Sequence, residues 1–156
     1  MYSEIRKSLN LNKIFTDIIK DFNKDDIRWV FEKVDDYIYF TDGHIMFKLP
    51  ETMVPFDTGK FRTGDLKGLY ERFTRGDMVT LNEKHRVKFK NSMLVTYVDP
   101  NKKYEININE RFIKYFKKGY QLYFYENETT VNNDGTIKAP SVAHILDVCF
   151  ILGVRI

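Results

Sequence analysis

Residues 37–50, which read YIYFTDGHIMFKLP, constrain the fold more than any other stretch of the sequence. Apolar residues stand at every second position on either side of a central Asp-Gly pair: Tyr37, Tyr39, Ile45 and Phe47. This spacing is that of one face of a β-strand, and Asp-Gly is typical of tight hairpin turns. The segment therefore predicts a β-hairpin. Its turn carries a hydroxyl, a carboxyl and an imidazole, from Thr41, Asp42 and His44.

Three other segments predict short helices that are each followed by strands. Apolar residues recur at helical spacing from Leu11 to Phe22, after a candidate N-cap at Asn10. Candidate N-caps at Thr63 and Asn109 introduce the second and third helices. Predicted strands cover residues 27–34, 78–81, 86–90, 93–98, 104–108, 120–126 and 144–156, with 2–9 as a candidate first strand and 127–141 as a loop. Helix starts near residues 11, 64 and 110 are typical of repeated structural units.

Composition limits the class of protein. The chain has 156 residues, of which 43% are hydrophobic, enough for one domain with a core or two very small ones. A net charge of +3 is too small to require nucleic acid as a partner. The single cysteine, Cys149, excludes an intrachain disulfide and favours the reducing cytoplasm. The polar start of the chain predicts no signal peptide, and the longest apolar run, 148–154, predicts no membrane span.

The sequence Thr41-Asp42-Gly43-His44, two strands after an amphipathic helix, resembles the middle domain of the bacterial replicative sliding clamp family, the β subunit of DNA polymerase III. Residues 25–31 match the strand before that hairpin, and residues 150–156 are similar to the final strand of the family. The chain departs from the family at Ile45 and Met46, where clamps usually have Arg and Leu, and at Gly153, where they have Pro.

The resemblance spans most of residues 9–156 and implies an α+β fold of clamp-like half-domain units, with short amphipathic helices packed on antiparallel sheet. Residues 1–100 would form a clamp-like domain. Residues 101–156 would form a half-domain that completes the C-terminal strand, unless the whole chain is one compact domain. The family's first domain has no counterpart, and a chain this short cannot close a two-subunit ring.

The resemblance also implies a pocket that binds the short peptide of a clamp partner. Apolar pockets with a few fixed polar groups suit such peptides. The implied lining residues are Phe31, Thr41, Gly43, His44, Met46, Phe150, Leu152, Gly153 and Val154. The alternative is that these residues pack the core and that His44 caps a turn.

Clamp helices face DNA and contact its phosphates without reading bases. By resemblance, the candidate nucleic-acid contacts are Lys13, Lys20, Lys67, Arg72, Arg111, Lys114, Lys117 and Lys118. Acidic residues are interleaved with these cations, so a simply solvated helix face is the alternative. Helix 3 is the most convincing basic surface, since Arg111, Lys114, Lys117 and Lys118 follow Lys103 closely.

Signals for an enzyme are weak. The three histidines, His44, His85 and His144, have no metal-binding spacing, and Cys149 lies in an apolar strand. The sequence has no phosphate-binding glycine loop and no nucleophile elbow, so we expect no catalytic residues, no metal and no cofactor.

The sequence thus predicts a non-enzymatic, clamp-like protein of the replication machinery. It would bind a protein partner carrying a clamp-binding peptide or a replication factor, and double-stranded DNA, as a single chain or a homo-oligomer. The alternative is a small phage or mobile-element inhibitor that blocks a host factor without binding DNA.

Overall fold

The computed structural model describes residues 2–24, 28–74, 76–126, 134 and 141–154. Within these ranges the chain is a mixed α+β fold with a ten-stranded sheet and few helices, which confirms the predicted α+β class. The helical segments are α1 (Tyr2–Ser8), α2 (Leu11–Asn23) and α3 (Lys67–Arg72), with 3-10 segments η1 (Glu51–Met53), η2 (Thr58–Lys60) and η3 (Glu110–Tyr115). The strands are β1 (Val30–Val34), β2 (Tyr37–Thr41), β3 (Ile45–Pro50), β4 (Arg62–Thr63), β5 (Met78–Phe89), β6 (Ser92–Val98), β7 (Glu105–Asn109), β8 (Leu122–Tyr125), β9 (Val142–Ile145) and β10 (Cys149–Leu152).

The predicted hairpin is confirmed as β2 and β3, which pair antiparallel with Phe40 opposite Phe47. A polar side chain of the turn itself bonds to the N–H groups of the turn backbone. The Asp42 carboxylate accepts hydrogen bonds from the backbone N–H of His44 (2.8 Å) and of Ile45 (3.1 Å). Gly43 has a φ of +96°, a conformation that glycine adopts without steric cost.

The sheet order is β4-β1-β2-β3-β10-β9-β8-β5-β6-β7. The C-terminal strand β10 therefore lies in the middle, between β3 and β9, and strands from residues 1–100 and 101–156 share the sheet. Strand β5 links two parts of the sheet, because residues 78–81 pair with β8 and residues 82–89 pair with β6. A register shift between Glu83 and His85 lies within the pairing of β5 with β6, just after the change of partner.

Helices cover both faces of the sheet around β3. On one face, Ile14 and Ile18 of α2 pack in the main core with Phe40 and Phe47. On the other, Tyr70 of α3 packs in a second cluster of buried residues: Tyr39, Met46, Leu66, Val142 and Phe150. Because alternate residues of a strand point to opposite faces, the two clusters are separated by the sheet.

Asn10 and Asn109 cap α2 and η3 as predicted, by accepting hydrogen bonds from the N–H groups of Lys13 and Arg111. The predicted cap at Thr63 is wrong, because Thr63 lies in β4. The carboxylate of Glu32 instead accepts from the first N–H groups of α3, at 3.2 and 2.8 Å. This cap comes from a strand 34 residues away in sequence and has no local signal.

Four further predictions of local structure are corrected. Residues 2–8 of the predicted strand 2–9 form α1 instead, and Ile5 in α1 and Leu9 just after it are buried about one helical turn apart. The third helix is the 3-10 segment η3. Predicted strands 78–81 and 86–90 are one strand, β5. Predicted strand 144–156 is divided between β9 and β10 by a turn at Leu146, whose φ is +49°. The predicted loop 127–141 lies, apart from residues 134 and 141, outside the described residues.

Candidate functional site

The two segments proposed to wall a peptide pocket lie side by side. Strands β3 and β10 pair antiparallel with Met46 opposite Phe150. Just beyond the paired residues, the backbone N–H of Leu152 donates to the carbonyl of His44 at 2.8 Å. The turn of the first hairpin and the last described residues therefore meet at one end of the sheet.

Three of the implied pocket residues are not available at that surface. Met46 and Phe150 are only 1% and 4% exposed. Aromatic rings cover Phe150, since the centroids of Tyr70 and Phe73 lie 5.3 and 5.5 Å from it. Phe31 lies on the opposite face of the sheet, in the main core. Tyr70 of α3 and Phe73, the residue that follows α3, therefore close off Phe150 from the surface.

A smaller surface remains open beside the turn. Gly43 and His44 are exposed, Leu152 is 36% exposed, and Thr41, Gly153 and Val154 are partly buried. The His44 ring lies 6.4 Å from the ring of Phe112 in η3. We call these six residues, at and beside the hairpin turn, the turn strip.

Gly153 explains one departure from the clamp pattern. Its N–H donates to the carbonyl of Ser141 at 2.8 Å, and the next residue, Val154, donates to the carbonyl of Asn107 at 2.7 Å. A Cβ at position 153 would lie 2.7 Å from a side-chain carbon of Ile106. Proline would both lose the donor and meet this contact, so the local packing requires glycine.

A polar cleft lies between α2 and η3, which pack against each other. Its volume is about 270 Å³. Three of the eight predicted nucleic-acid contacts meet here, although α2 and η3 are about 90 residues apart in sequence. The lining residues are Lys13, Asp17, Lys20, Asp21, Lys24, Arg28, Trp29, Asp42, Lys114 and Tyr115. We call this the α2/η3 cleft.

Asp17 organises the centre of the α2/η3 cleft. Its carboxylate lies 3.4 Å from the Lys13 ammonium and 3.0 Å from the Lys114 ammonium, and it accepts a 2.8 Å hydrogen bond from the Tyr115 hydroxyl. Partial burial alone raises the pKa of Asp17, but these cationic and hydroxyl donors hold it below its usual value. Asp21 accepts from the Trp29 indole at 2.8 Å.

Two cations of the α2/η3 cleft are uncompensated. Lys20 and Lys24 are exposed and have no ion-pair partner among the described residues. By contrast, Lys13 and Lys114 are held by Asp17. Within the part of the chain that the structure describes, Lys20 and Lys24 are therefore the lysines of the cleft that have no carboxylate partner and that we call its rim.

The other predicted nucleic-acid contacts are not brought to the α2/η3 cleft. Lys67 and Arg72 belong to α3, which covers the opposite face of the sheet. Arg111 lies over the ring of Phe112 at 4.6 Å, while Lys117 and Lys118 are exposed just after η3. Arg111 lies within η3 and the two lysines follow it, but none of the three is among the residues that line the cleft.

A third feature was missed by sequence reasoning. An apolar pocket of about 410 Å³ lies at the far end of β2 and β3 from the turn strip. The lining residues are Glu4, Ile5, Tyr37, Lys48, Pro50, Met78, Tyr123, Leu146, Asp147 and Val148. They come from α1, four strands and the turn between β9 and β10, so no sequence spacing could have grouped them.

The candidate catalytic groups do not form a site. His44 and His85 are exposed on different elements, His144 is buried, and Asp42 is occupied by the backbone of its own turn. Burial raises the pKa of the Cys149 thiol well above its usual value, which disfavours the reactive thiolate. No group of three or more His, Cys, Asp or Glu side chains in the described ranges could hold a metal ion.

Comparison with known proteins finds no matching family model, no significantly similar curated protein and no significantly similar solved structure. The resemblance to sliding clamps therefore rests on the short motifs at residues 25–31, 41–44 and 150–156 alone. None of the helices in the described part of the chain is long and apolar enough to cross a membrane.

Proposed function

We propose that the chain is a non-enzymatic, sliding-clamp-like binding protein that contacts the phosphates of double-stranded DNA through the α2/η3 cleft. The observation that carries this proposal is the packing of α2 beside η3, which gathers Lys13, Lys20 and Lys114 around one cleft. The cleft adds Lys24 and Arg28, which sequence reasoning had not selected.

The arrangement of charge within the cleft favours contact with the DNA phosphates over contact with the base edges. Asp17 fixes the inner lysines, while Lys20 and Lys24 remain exposed on the rim, where a phosphate can approach them. Lysine binds phosphate as a point charge and does not discriminate bases through it. A contact of this type is independent of DNA sequence, as a sliding protein requires.

The turn strip is the proposed peptide-binding surface in this scheme. Its exposed members are Gly43, His44 and Leu152. They offer a partner peptide an accessible backbone, an imidazole ring and an apolar side chain, respectively. A replication-machinery partner, a cytoplasmic location and assembly of several copies around DNA belong to the same proposal.

The test is DNA affinity measured against salt concentration, by fluorescence anisotropy with a labelled duplex. Lys20→Glu/Lys24→Glu should weaken binding about tenfold or more and lower the slope of log K against log salt by about 2, because two phosphate contacts are lost. Lys67→Glu/Arg72→Glu is the matched control, since it reverses the same number of charges on α3, which covers the opposite face. Equal losses in both variants would contradict the proposed surface.

One observation favours the alternative, an inhibitor that acts by protein–protein contact without DNA. Asp17, Asp21 and Asp42 line the same cleft as the five cations, so much of its positive charge is neutralised. A wild-type chain that shows no salt-dependent DNA affinity, but still binds a clamp-motif peptide at the turn strip, would support that alternative.

A further inference from the structure

The apolar pocket at the far end of β2 and β3 is distinct from the turn strip and from the α2/η3 cleft. Its walls are apolar and come from separate elements: Ile5, Tyr37, Pro50, Met78, Tyr123, Leu146 and Val148. A volume of about 410 Å³ falls in the range of pockets that hold small ligands or large side chains. Met78 is 42% exposed, so an apolar side chain is left at the mouth of the pocket.

Two of the three charged groups in the pocket, Lys48 and Asp147, form an ion pair. The Lys48 ammonium lies 3.3 Å from one oxygen of Asp147, and the Tyr70 hydroxyl donates to the other oxygen at 3.2 Å. The same ammonium lies 4.9 Å from the centre of the Tyr37 ring. Lys48 is therefore fixed by one carboxylate and one aromatic face, and the pair contributes no net charge.

The third charged group, Glu4, is uncompensated. It is exposed on α1 and has no ion-pair partner within the described part of the chain. The pocket therefore carries one unit of net negative charge beside an apolar and aromatic wall. A ligand anion would be repelled by the Glu4 carboxylate, whereas a ligand cation would be attracted to that carboxylate and to the faces of tyrosine rings.

We propose that this pocket binds an aromatic or branched apolar group that carries a single positive charge. The apolar body lies against Met78, Tyr123 and Leu146, and the cation is directed to Glu4 at the mouth. The ligand is a free organic amine or the side chains of a peptide in which an apolar residue adjoins Arg or Lys. This site is additional to the DNA and turn-strip contacts and does not depend on them.

The test is a titration followed by ¹H–¹⁵N NMR with three probes. Tryptamine and indole-3-acetate share one ring system and differ in the sign of their charge, while N-acetyl-tryptophanyl-argininamide represents the peptide source. Tryptamine should shift the amides of residues 37, 78 and 123 and bind about tenfold more tightly than indole-3-acetate. Tighter binding of the dipeptide than of tryptamine identifies a peptide ligand, and the reverse identifies a free amine.

Substitutions at exposed positions test the effect of charge on ligand binding without disturbing the folded core. Met78→Glu and Met78→Arg both lose the methionine contact and differ in the sign of the new charge. Met78→Glu should therefore bind tryptamine about tenfold more tightly than Met78→Arg does, with the opposite order for indole-3-acetate. Glu4→Gln should reduce the preference for the cation, whereas Glu105→Gln, on the distant edge strand β7, should leave it unchanged. The proposal is overturned if no probe shifts these amides, if indole-3-acetate binds as tightly as tryptamine, or if Glu4→Gln and Glu105→Gln behave alike.

Discussion

Acidification should destabilise this protein through His144. The imidazole is 0% exposed, and the Tyr125 and Phe150 rings lie 4.7 and 5.5 Å from it. Neither ring nitrogen has a well-formed hydrogen bond to a described residue. Burial lowers the pKa of His144 to about 3, with a smaller opposing effect from the Phe73 backbone. The folded state therefore holds this ring in its neutral form.

The sign and size of the effect follow from proton linkage. An unfolded histidine has a pKa near 6.5, so the unfolded state binds the proton more tightly, and stability falls as the pH drops below that value. The contribution of His144 is fully present above about pH 7. At pH 5 it should have fallen by about 2 kcal/mol, and the loss continues until the pH reaches the folded pKa.

Urea unfolding followed by Trp29 fluorescence measures this change. With a slope of about 2 kcal/mol per molar urea, the midpoint should fall by about 1 M between pH 8 and pH 5. His144→Leu removes the titrating group and should remove most of this dependence, while the exposed His85→Gln should retain it. A wild-type midpoint that is equal at both pH values, or an unchanged pH dependence in His144→Leu, would refute the reasoning.

Three further predictions concern single positions. Gly153→Pro should destabilise the fold by about 3 kcal/mol, since it loses a donor and meets Ile106; a thermal melt that matches wild type contradicts this. Glu32→Ala should cost about 1 kcal/mol by uncapping α3, whereas Glu51→Ala, in an exposed ion pair, should cost less in the same urea assay. Leu152→Glu should abolish binding of a clamp-motif peptide at an unchanged melting temperature, and retained affinity would exclude the turn strip.

Elements with strong local patterns were predictable from the sequence. The hairpin of β2 and β3 follows from alternating apolar residues around Asp42-Gly43, and α2 follows from its helical apolar spacing behind Asn10. Both patterns are complete within 15 residues or fewer. No distant contact is needed to choose between helix and strand there.

Elements that depend on distant contacts were not predictable. The start of α3 is set by Glu32, a residue in β1, and Thr63 is drawn into a parallel pairing with that same strand. The turn at Leu146, which separates β9 from β10, lies in an apolar stretch without glycine or proline. Local sequence carries no signal for either event.

In the candidate sites too, local features were predictable and contacts between distant segments were not. The resemblance to sliding clamps implied that the two segments of the turn strip are adjacent, but it could not show that Tyr70 and Phe73 cover Phe150. Lys13, Lys20 and Lys114 were candidates by their positions on predicted helices, but only the packing of α2 beside η3 shows that Lys114 joins the other two. The apolar pocket at the far end of β2 and β3 is lined by residues from six separate elements, so no sequence pattern predicts it.

Mapping a short duplex onto the protein by ¹H–¹⁵N chemical shifts tests the proposed DNA surface most directly. We predict shifts concentrated in residues 13–24 and 110–118, which line or flank the α2/η3 cleft, with residues 67–72 of α3 unchanged. Shifts concentrated on α3, or no shifts at low salt, would contradict the assignment of nucleic-acid binding to this cleft.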